Sequence, residues 1–225
     1  MITLTSDKDK VQLRKHALKL LKQVKLEGLI ILVDTLSYTD FEIKDKFAKQ
    51  QLLIQAVSKG NLPCVKYLVE NGANIREQDY YCLRSAAENN QLEIIKYLVE
   101  QGANVQALDN YSLRWTAGAG YFDIVKYLVE HGANIHVDRD YAFRIAAYYG
   151  HLKIVKYLVE QGANIHASHG FAIREAIINR RTDVVEYLLE QGADIEDIIQ
   201  WASDYGQIDV VNYLKEVLQN DSTHQ

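Results

Sequence analysis

Residues 125–135 read VKYLVEHGANI, and nearly the same string stands at four other places in the chain. It is VKYLVENGANI at 65–75, IKYLVEQGANV at 95–105, VKYLVEQGANI at 155–165 and VEYLLEQGADI at 185–195. The tyrosines inside these strings, Tyr67, Tyr97, Tyr127, Tyr157 and Tyr187, follow one another at intervals of 30 residues. Self-similarity at a fixed period of this size is the mark of one supersecondary unit stacked on copies of itself. Such scaffolds present extended faces, so the functional question moves to surfaces.

The unit Asp109–Asp138, DNYSLRWTAGAGYFDIVKYLVEHGANIHVD, shows what repeats. Leu113, Thr116 and Ala117, then Phe122, Ile124, Val125, Leu128 and Val129, place apolar or small residues at helical spacing. Gly120 and Gly132 each fall where a helix would end in a left-handed residue. The unit therefore reads helix, tight turn, helix, loop. Gly60, Asn90, Gly150 and Gly206 match Gly120; Arg180 breaks that series, which predicts an irregular turn there. Small residues recur at Ala56, Ala86, Thr116, Ala146, Ala176 and Ala202, so that neighbouring first helices approach closely. Leu53, Leu83, Leu113, Phe143, Ile173 and Ile199 fill the space between layers.

These residues carry a family resemblance. Leucine, two residues, a small pair, two variable residues, a turn glycine, a Val-rich helix and Gly-Ala-Asn/Asp resemble the ankyrin repeat over roughly residues 50–215. The resemblance implies an all-α, ankyrin-type solenoid of helix-turn-helix repeats that binds other proteins on its concave face. Two departures stand out. The family period is usually 33, and the shortfall lies between Ile75 and Leu83, where the family carries a projecting β-hairpin. The family's Thr-Pro-Leu-His helix start is also missing, replaced by Tyr-Cys-Leu-Arg and its relatives. Short repeats with KYLVE-type second helices resemble the ankyrin families of giant DNA viruses of amoebae, so a viral protein engaging a host factor is one expectation.

The expected organisation follows. Residues 1–46 form a degenerate capping helix pair and connector, 47–195 five repeats, 196–219 a C-terminal capping pair and 220–225 a frayed tail. The 225 residues are 48% hydrophobic, and Lys+Arg of 25 against Asp+Glu of 30 gives a net charge of −5. That balance gives no electrostatic reason for nucleic acid to bind. With no apolar signal core and no bilayer-length run, no membrane partner is expected, and the cytoplasm is the expected location, the host's if the protein is viral. Two cysteines, Cys64 and Cys82, at non-equivalent positions do not make a disulfide framework.

Three rows of equivalent residues have competing readings. Arg84, Arg114, Arg144 and Arg174 form either a basic stripe or, as preferred, structural ties from helix starts to loops, with Asp79, Asp109 and Asp140 as partners. The helix tyrosines, with Tyr213, are expected to pack between layers while their hydroxyls find polar partners. Tyr81, Tyr111, Tyr141 and Phe171 are expected to cover the core where the hairpin is missing.

Recognition is expected at positions that vary between copies. The family resemblance places these in the two residues before the turn glycine, one turn earlier, and at the loop tips. Trp115, Tyr121, Ile145, Tyr148 and Tyr149 concentrate in the central repeats, joined by Glu88 and Asn89 and by the loop tips Tyr80, Asn110 and Asp140. Exposed Trp and Tyr dominate interface energetics. The competing reading is that Trp115 and Ile145 are half-buried packing. No catalytic constellation, metal-ligand spacing or phosphate loop stands out, so neither enzyme nor cofactor is expected. The expectation is a monomer binding a protein partner; the alternative is a structural or self-assembling component.

Overall fold

The structure, a computed structural model, describes residues 46–221. The expected N-terminal capping pair and the last tail residues lie outside the described residues. Among those described there are twelve α-helices and no strand. The fold class is all-α, built of helix pairs. Contacts divide the chain into two compact units between Leu108 and Asp109.

The first unit contains α1 (Lys46–Ser58), α2 (Leu62–Glu70), α3 (Glu77–Glu88) and α4 (Leu92–Glu100). Here α1 packs on α2 and α3, α3 on α4, and α2 on α4. The second unit is built on α5 (Ala107–Ala119), α6 (Phe122–Glu130), α7 (Val137–Tyr149), α8 (Leu152–Glu160), α9 (Ala167–Ile178), α10 (Thr182–Glu190), α11 (Ile195–Asp204) and α12 (Ile208–Asp221). In it α7 packs on α8 and α9, α8 on α6 and α10, α9 on α10, and α11 on α12.

The small-residue row sets the layer spacing. Ala56, Ala86, Thr116, Ala146, Ala176 and Ala202 are all 0% exposed. Thr116 enters this alanine position because its hydroxyl donates back to the Ser112 carbonyl at 2.7 Å, so no polar atom is stranded. Leu53, Leu83, Leu113, Phe143 and Ile173 are buried beside that row. Each such side chain contributes about 1.5–3 kcal/mol by leaving water. Ile199 is only half-buried, and Ser203, which matches the buried Ala147, is exposed.

The turn between paired helices uses a left-handed residue at every copy. Gly150 takes φ 82°, Asn90 56° and Arg180 55°. The irregular turn expected at Arg180 does not occur. Its N–H donates to Ile177 at 3.0 Å and the next N–H to Ala176 at 2.8 Å, the same pair of bonds made by Gly150 and His151. The hydrogen bonds hold the geometry, and the strain falls on the arginine backbone. After α2, α4, α6, α8 and α10 a Schellman motif closes the end; Gly132 N–H donates to Val129 and Ala133 N–H to Leu128.

The missing hairpin is replaced by something the sequence reading did not foresee. The connector folds into three consecutive left-handed residues: Leu108, Asp109 and Asn110 at φ 49°, 53° and 57°, and Asp138, Arg139 and Asp140 at 49°, 55° and 59°. Ser168, His169 and Gly170 repeat it at 54°, 58° and 67°, and Tyr80 takes 60° at the matching place. An L-residue in this region costs roughly 1–2 kcal/mol. The Asn of Gly-Ala-Asn starts the reversal: Asn104, Asn134 and Asn164 each accept the N–H two residues on, at 2.9–3.0 Å. Four residues fewer separate the last two copies, and Asp194 there caps α11 directly, accepting from Asp197 N–H at 3.0 Å.

The tyrosine row is packed against its neighbours, with Tyr67 and Tyr97 buried and Tyr127, Tyr157 and Tyr187 half-buried. One expectation fails here. The Tyr97 and Tyr213 hydroxyls make no hydrogen bond to the described residues. The ring occupies a leucine position of the resembled pattern, and the hydroxyl emerges among helix-end carboxylates. Burial, then Glu70 and Glu100, push the Tyr97 phenol up; burial, then Glu130 and Glu160, do so for Tyr157, and burial, then Glu160 and Glu190, for Tyr187.

Two outcomes are expected. Arg180→Gly should stabilise the protein by about 1 kcal/mol, read as a higher urea midpoint, because glycine adopts the left-handed region freely. Stability should fall as pH rises above about 10, because the unfolded chain ionises its phenols before the folded one does. Replacing Tyr97, Tyr157 and Tyr187 by Phe should flatten that fall in urea titrations across the alkaline range.

Candidate functional site

The arginine row proves to be part of the connector. Arg144 Nη2 donates to the Asp138 carbonyl at 2.8 Å and Nε to the Arg139 carbonyl at 3.0 Å, both left-handed residues. Arg174 Nη2 donates to the Ser168 carbonyl at 3.0 Å in the next copy. A planar fork is suited to two carbonyls pointing the same way. The structural reading of this row accounts for these contacts, with one correction to its partners. Asp140 does not pair with Arg144; its carboxylate meets His136 Nδ1 at 2.7 Å, and Asp138 lies 3.8 Å from Arg144. The side chain of Asp79 lies outside the described residues.

The aromatic row alternates with these arginines. Arg114 lies 5.6 Å from the Tyr141 ring centre, Arg144 5.4 Å from Tyr141 and 5.0 Å from Phe171, and Arg174 5.0 Å from Trp201. In the first unit Arg84 lies 5.6 Å from Tyr81. Each ring thus offers a negative face to a guanidinium, which adds about 0.5–1 kcal/mol per contact at partly exposed sites. These rings cover the connector side, as expected of a substitute for the hairpin.

On the face of the first helices in the second unit lies a groove of about 360 Å³. Trp115 and Tyr149 form its exposed walls, at 47% and 48% exposure. Trp115 is stacked on Tyr111 with centroids 6.2 Å apart and planes at 14°. Tyr141, Ile145 and Arg114 complete the sides, and Gly118 and Ala119 the rest of the lining. The groove is open because that pair is small. A Cβ added at Gly118 would already stand 3.2 Å from Ile145 and 3.7 Å from Tyr149. The corresponding pairs elsewhere are Ser58–Lys59, Glu88–Asn89, Tyr148–Tyr149 and Ile178–Asn179.

The structure therefore brings together Trp115, Ile145 and Tyr149 of the residues singled out from sequence. Tyr148 is half-buried outside the groove, its ring edge-on to Tyr149 at 4.9 Å. Tyr121 is the half-buried residue preceding α6. Glu88 and Asn89 are exposed at the end of α3, where the Asn89 amide donates to the Ser85 carbonyl, and Tyr80 is half-buried; all three belong to the first unit. Asn110 and Asp140 are corrected: they are 2% and 4% exposed, not open loop tips. The left-handed turn rotates them inward, and Asn110 Oδ1 accepts the Asn134 N–H at 2.8 Å. Gln50 makes the equivalent contact in the first unit, accepting from Asn74 N–H at 3.1 Å and donating to its carbonyl at 3.0 Å.

A further polar row escaped the sequence reading. The residue after the turn reaches back one repeat, where Gln91 Nε2 meets the Ser58 carbonyl at 3.4 Å, His151 Nε2 meets Gly118 at 2.9 Å and Arg181 Nε meets Tyr148 at 3.2 Å. The signal was present as three different hydrogen-bonding residues at one repeat position. Its chemical diversity hid it. The approach is so close that a Cβ on Gly120 would meet His151 at 2.7 Å.

Cys64 and Cys82 are buried and form no disulfide, and burial, with Glu77 nearby, pushes the Cys82 thiol up to about 12. A thiol in that state is a poor nucleophile. Among the described residues no group of three or more His, Cys, Asp or Glu is placed to hold a metal ion, and no helix is long and apolar enough to cross a membrane.

Comparison with known families agrees with this architecture. A family model described as ankyrin repeats (3 copies) matches residues 15–109 and 113–199. The chain belongs to the ankyrin-repeat family. Members are in general protein–protein interaction modules and typically non-enzymatic scaffolds. No curated protein matches the chain.

The arginine geometry carries its own test. Arg144→Ala should lower stability by about 1.5–3 kcal/mol in urea denaturation, the range for charge-assisted hydrogen bonds. Arg144→Lys should restore little of it, since an ammonium cannot serve two carbonyls and a ring face at once.

Proposed function

We propose that this chain is a non-catalytic binding module that captures a protein partner on the face of its first helices, with Trp115, Ile145 and Tyr149 at the centre. The observation that carries this is the groove itself. Two large aromatic side chains stay about half exposed around a gap opened by Gly118 and Ala119. Leu108, Ile178, Tyr205 and Ile208 are also exposed, but they do not line this groove. Aromatic anchors around a pocket are the usual centre of binding energy. A scaffold already folded around them loses little freedom on binding.

The repeats argue that this face is free to specialise. The arginine, small-residue and tyrosine rows serve the stack, whereas residues 115, 118, 119, 145 and 149 change from copy to copy. Tyr121 and Tyr148 are proposed as further contacts within the second unit, and Glu88, Asn89 and Tyr80 as contacts of the first unit taken by itself. The 30-residue period and the KYLVE helices support a viral source, in which case the partner is a host protein met in the host cytoplasm. In this reading the protein acts as a monomer, without nucleic acid, membrane or cofactor, and residues 196–219 close the stack as a C-terminal cap.

Trp115→Ala combined with Tyr149→Ala should reduce capture of the partner from host extract by at least about tenfold, since anchors of this kind are each worth about 2 kcal/mol or more. Helical circular dichroism should be unchanged, because both side chains are half exposed. Undiminished capture by the folded double variant refutes the assignment. Concentration-dependent association in sedimentation would instead favour the self-assembling alternative.

A further inference from the structure

We infer that His151 and Arg181 are positioning residues of the groove. From the following repeats they hold the ends of α5 and α7, and so keep the space between Trp115 and Tyr149 open. This rests on the binding-face reading above and names what readies that face. Every lining residue comes from α5 or α7. One helix closes with Gly118 and Ala119, the other with Tyr148 and Tyr149.

The asparagine that closes other first helices is missing from both. α3 and α9 are followed by Asn89 and Asn179, whose amides donate to the Ser85 and Glu175 carbonyls at 2.8 Å. At the matching places α5 and α7 carry Ala119 and Tyr149, which have no amide to give. Carbonyls of a last helical turn have no partner within the helix. The end of α5 is weakened further by Gly118, since glycine inside a helix costs about 1 kcal/mol relative to alanine. The two helix ends that frame the groove therefore need donors from elsewhere.

Those donors come from the next repeat. His151 Nε2 meets the Gly118 carbonyl at 2.9 Å; a carbonyl can only accept, so this nitrogen carries the proton. The same ring stands 6.2 Å from the Tyr149 ring and fills the space over Gly120, where a Cβ would come within 2.7 Å of it. Arg181 Nε donates to the carbonyl of Tyr148, the neighbour of Tyr149, at 3.2 Å. Its stem lies over Gly150, where a Cβ would stand 2.7 Å away. Holding both ends before a partner arrives reduces the freedom lost on binding. Gln91 makes the same kind of bond to the Ser58 carbonyl in the first unit, where no residue of this groove lies.

The test uses the full chain with Trp201→Phe, which leaves Trp115 as its single tryptophan, and reads quenching of its fluorescence by acrylamide. His151→Phe keeps a ring over Gly120 but cannot donate. It should raise the quenching of Trp115 about 1.5-fold or more, because the end of α5 then opens locally. His151→Gln should restore the parent value, since glutamine makes this bond at position 91. Arg181→Met, which keeps the stem and loses the donor, should act in the same direction as His151→Phe and replaces it if that variant does not fold. Gln91→Leu should lower the urea midpoint yet leave the quenching unchanged. Equal quenching in the phenylalanine and glutamine variants overturns the inference. A rise in Gln91→Leu as large as in His151→Phe does so too, because the row then only stabilises the stack. No partner enters this measurement, so capture by the Trp115→Ala, Tyr149→Ala protein tests the binding-face reading separately.

Discussion

Everything in the repeat depends on how its short connector is closed. Eight positions separate Ile75 from Leu83, too few for a projecting hairpin, so the backbone reverses through left-handed residues that L-amino acids resist. The guanidinium of Arg144 removes part of that cost by bonding two of the carbonyls the turn exposes, and it is itself held between Tyr141 and Phe171. Position, charge and ring therefore form one device. It explains why the family's histidine helix start is replaced by an aromatic residue followed three positions later by arginine.

The same device positions the groove. Tyr111 and Tyr141 belong to the connector row, while Trp115 and Ile145 lie one helical turn further on. Recognition surface and turn support are thus continuous. The rings that cover the missing hairpin also supply part of the wall on which a partner would rest. Gly118 then decides how deep the groove is, because a side chain there would stand directly against Ile145 and Tyr149.

Much of this was legible from residue spacing. The helix pairs, the left-handed glycines, the alanine row and the structural character of the arginines all follow from a 30-residue period. Three things did not. The triple left-handed turn was hidden because Asp109, Arg139 and His169 carry no shared chemical signal; only the Asn before the turn is constant. Asn110 and Asp140 read as loop tips because periodicity gives position along the chain and not the rotation a turn imposes. The back-reaching row Gln91, His151 and Arg181 was missed because three unlike side chains fulfil one role. Of the candidate site, Trp115, Ile145 and Tyr149 were readable as breaks in the pattern, but the gap between them depends on which neighbours are small.

That back-reaching row has a bearing on how such a chain grows. Each of these side chains grasps a main-chain carbonyl, a group every residue possesses, so the joint between successive units does not require matched partners on both sides. A unit duplicated, deleted or exchanged in the gene meets a usable acceptor wherever it lands, provided the new residue can donate and the turn glycine leaves it room. Joints indifferent to side-chain identity leave the face of the first helices free to diverge, which is the condition for one scaffold to acquire many binding specificities.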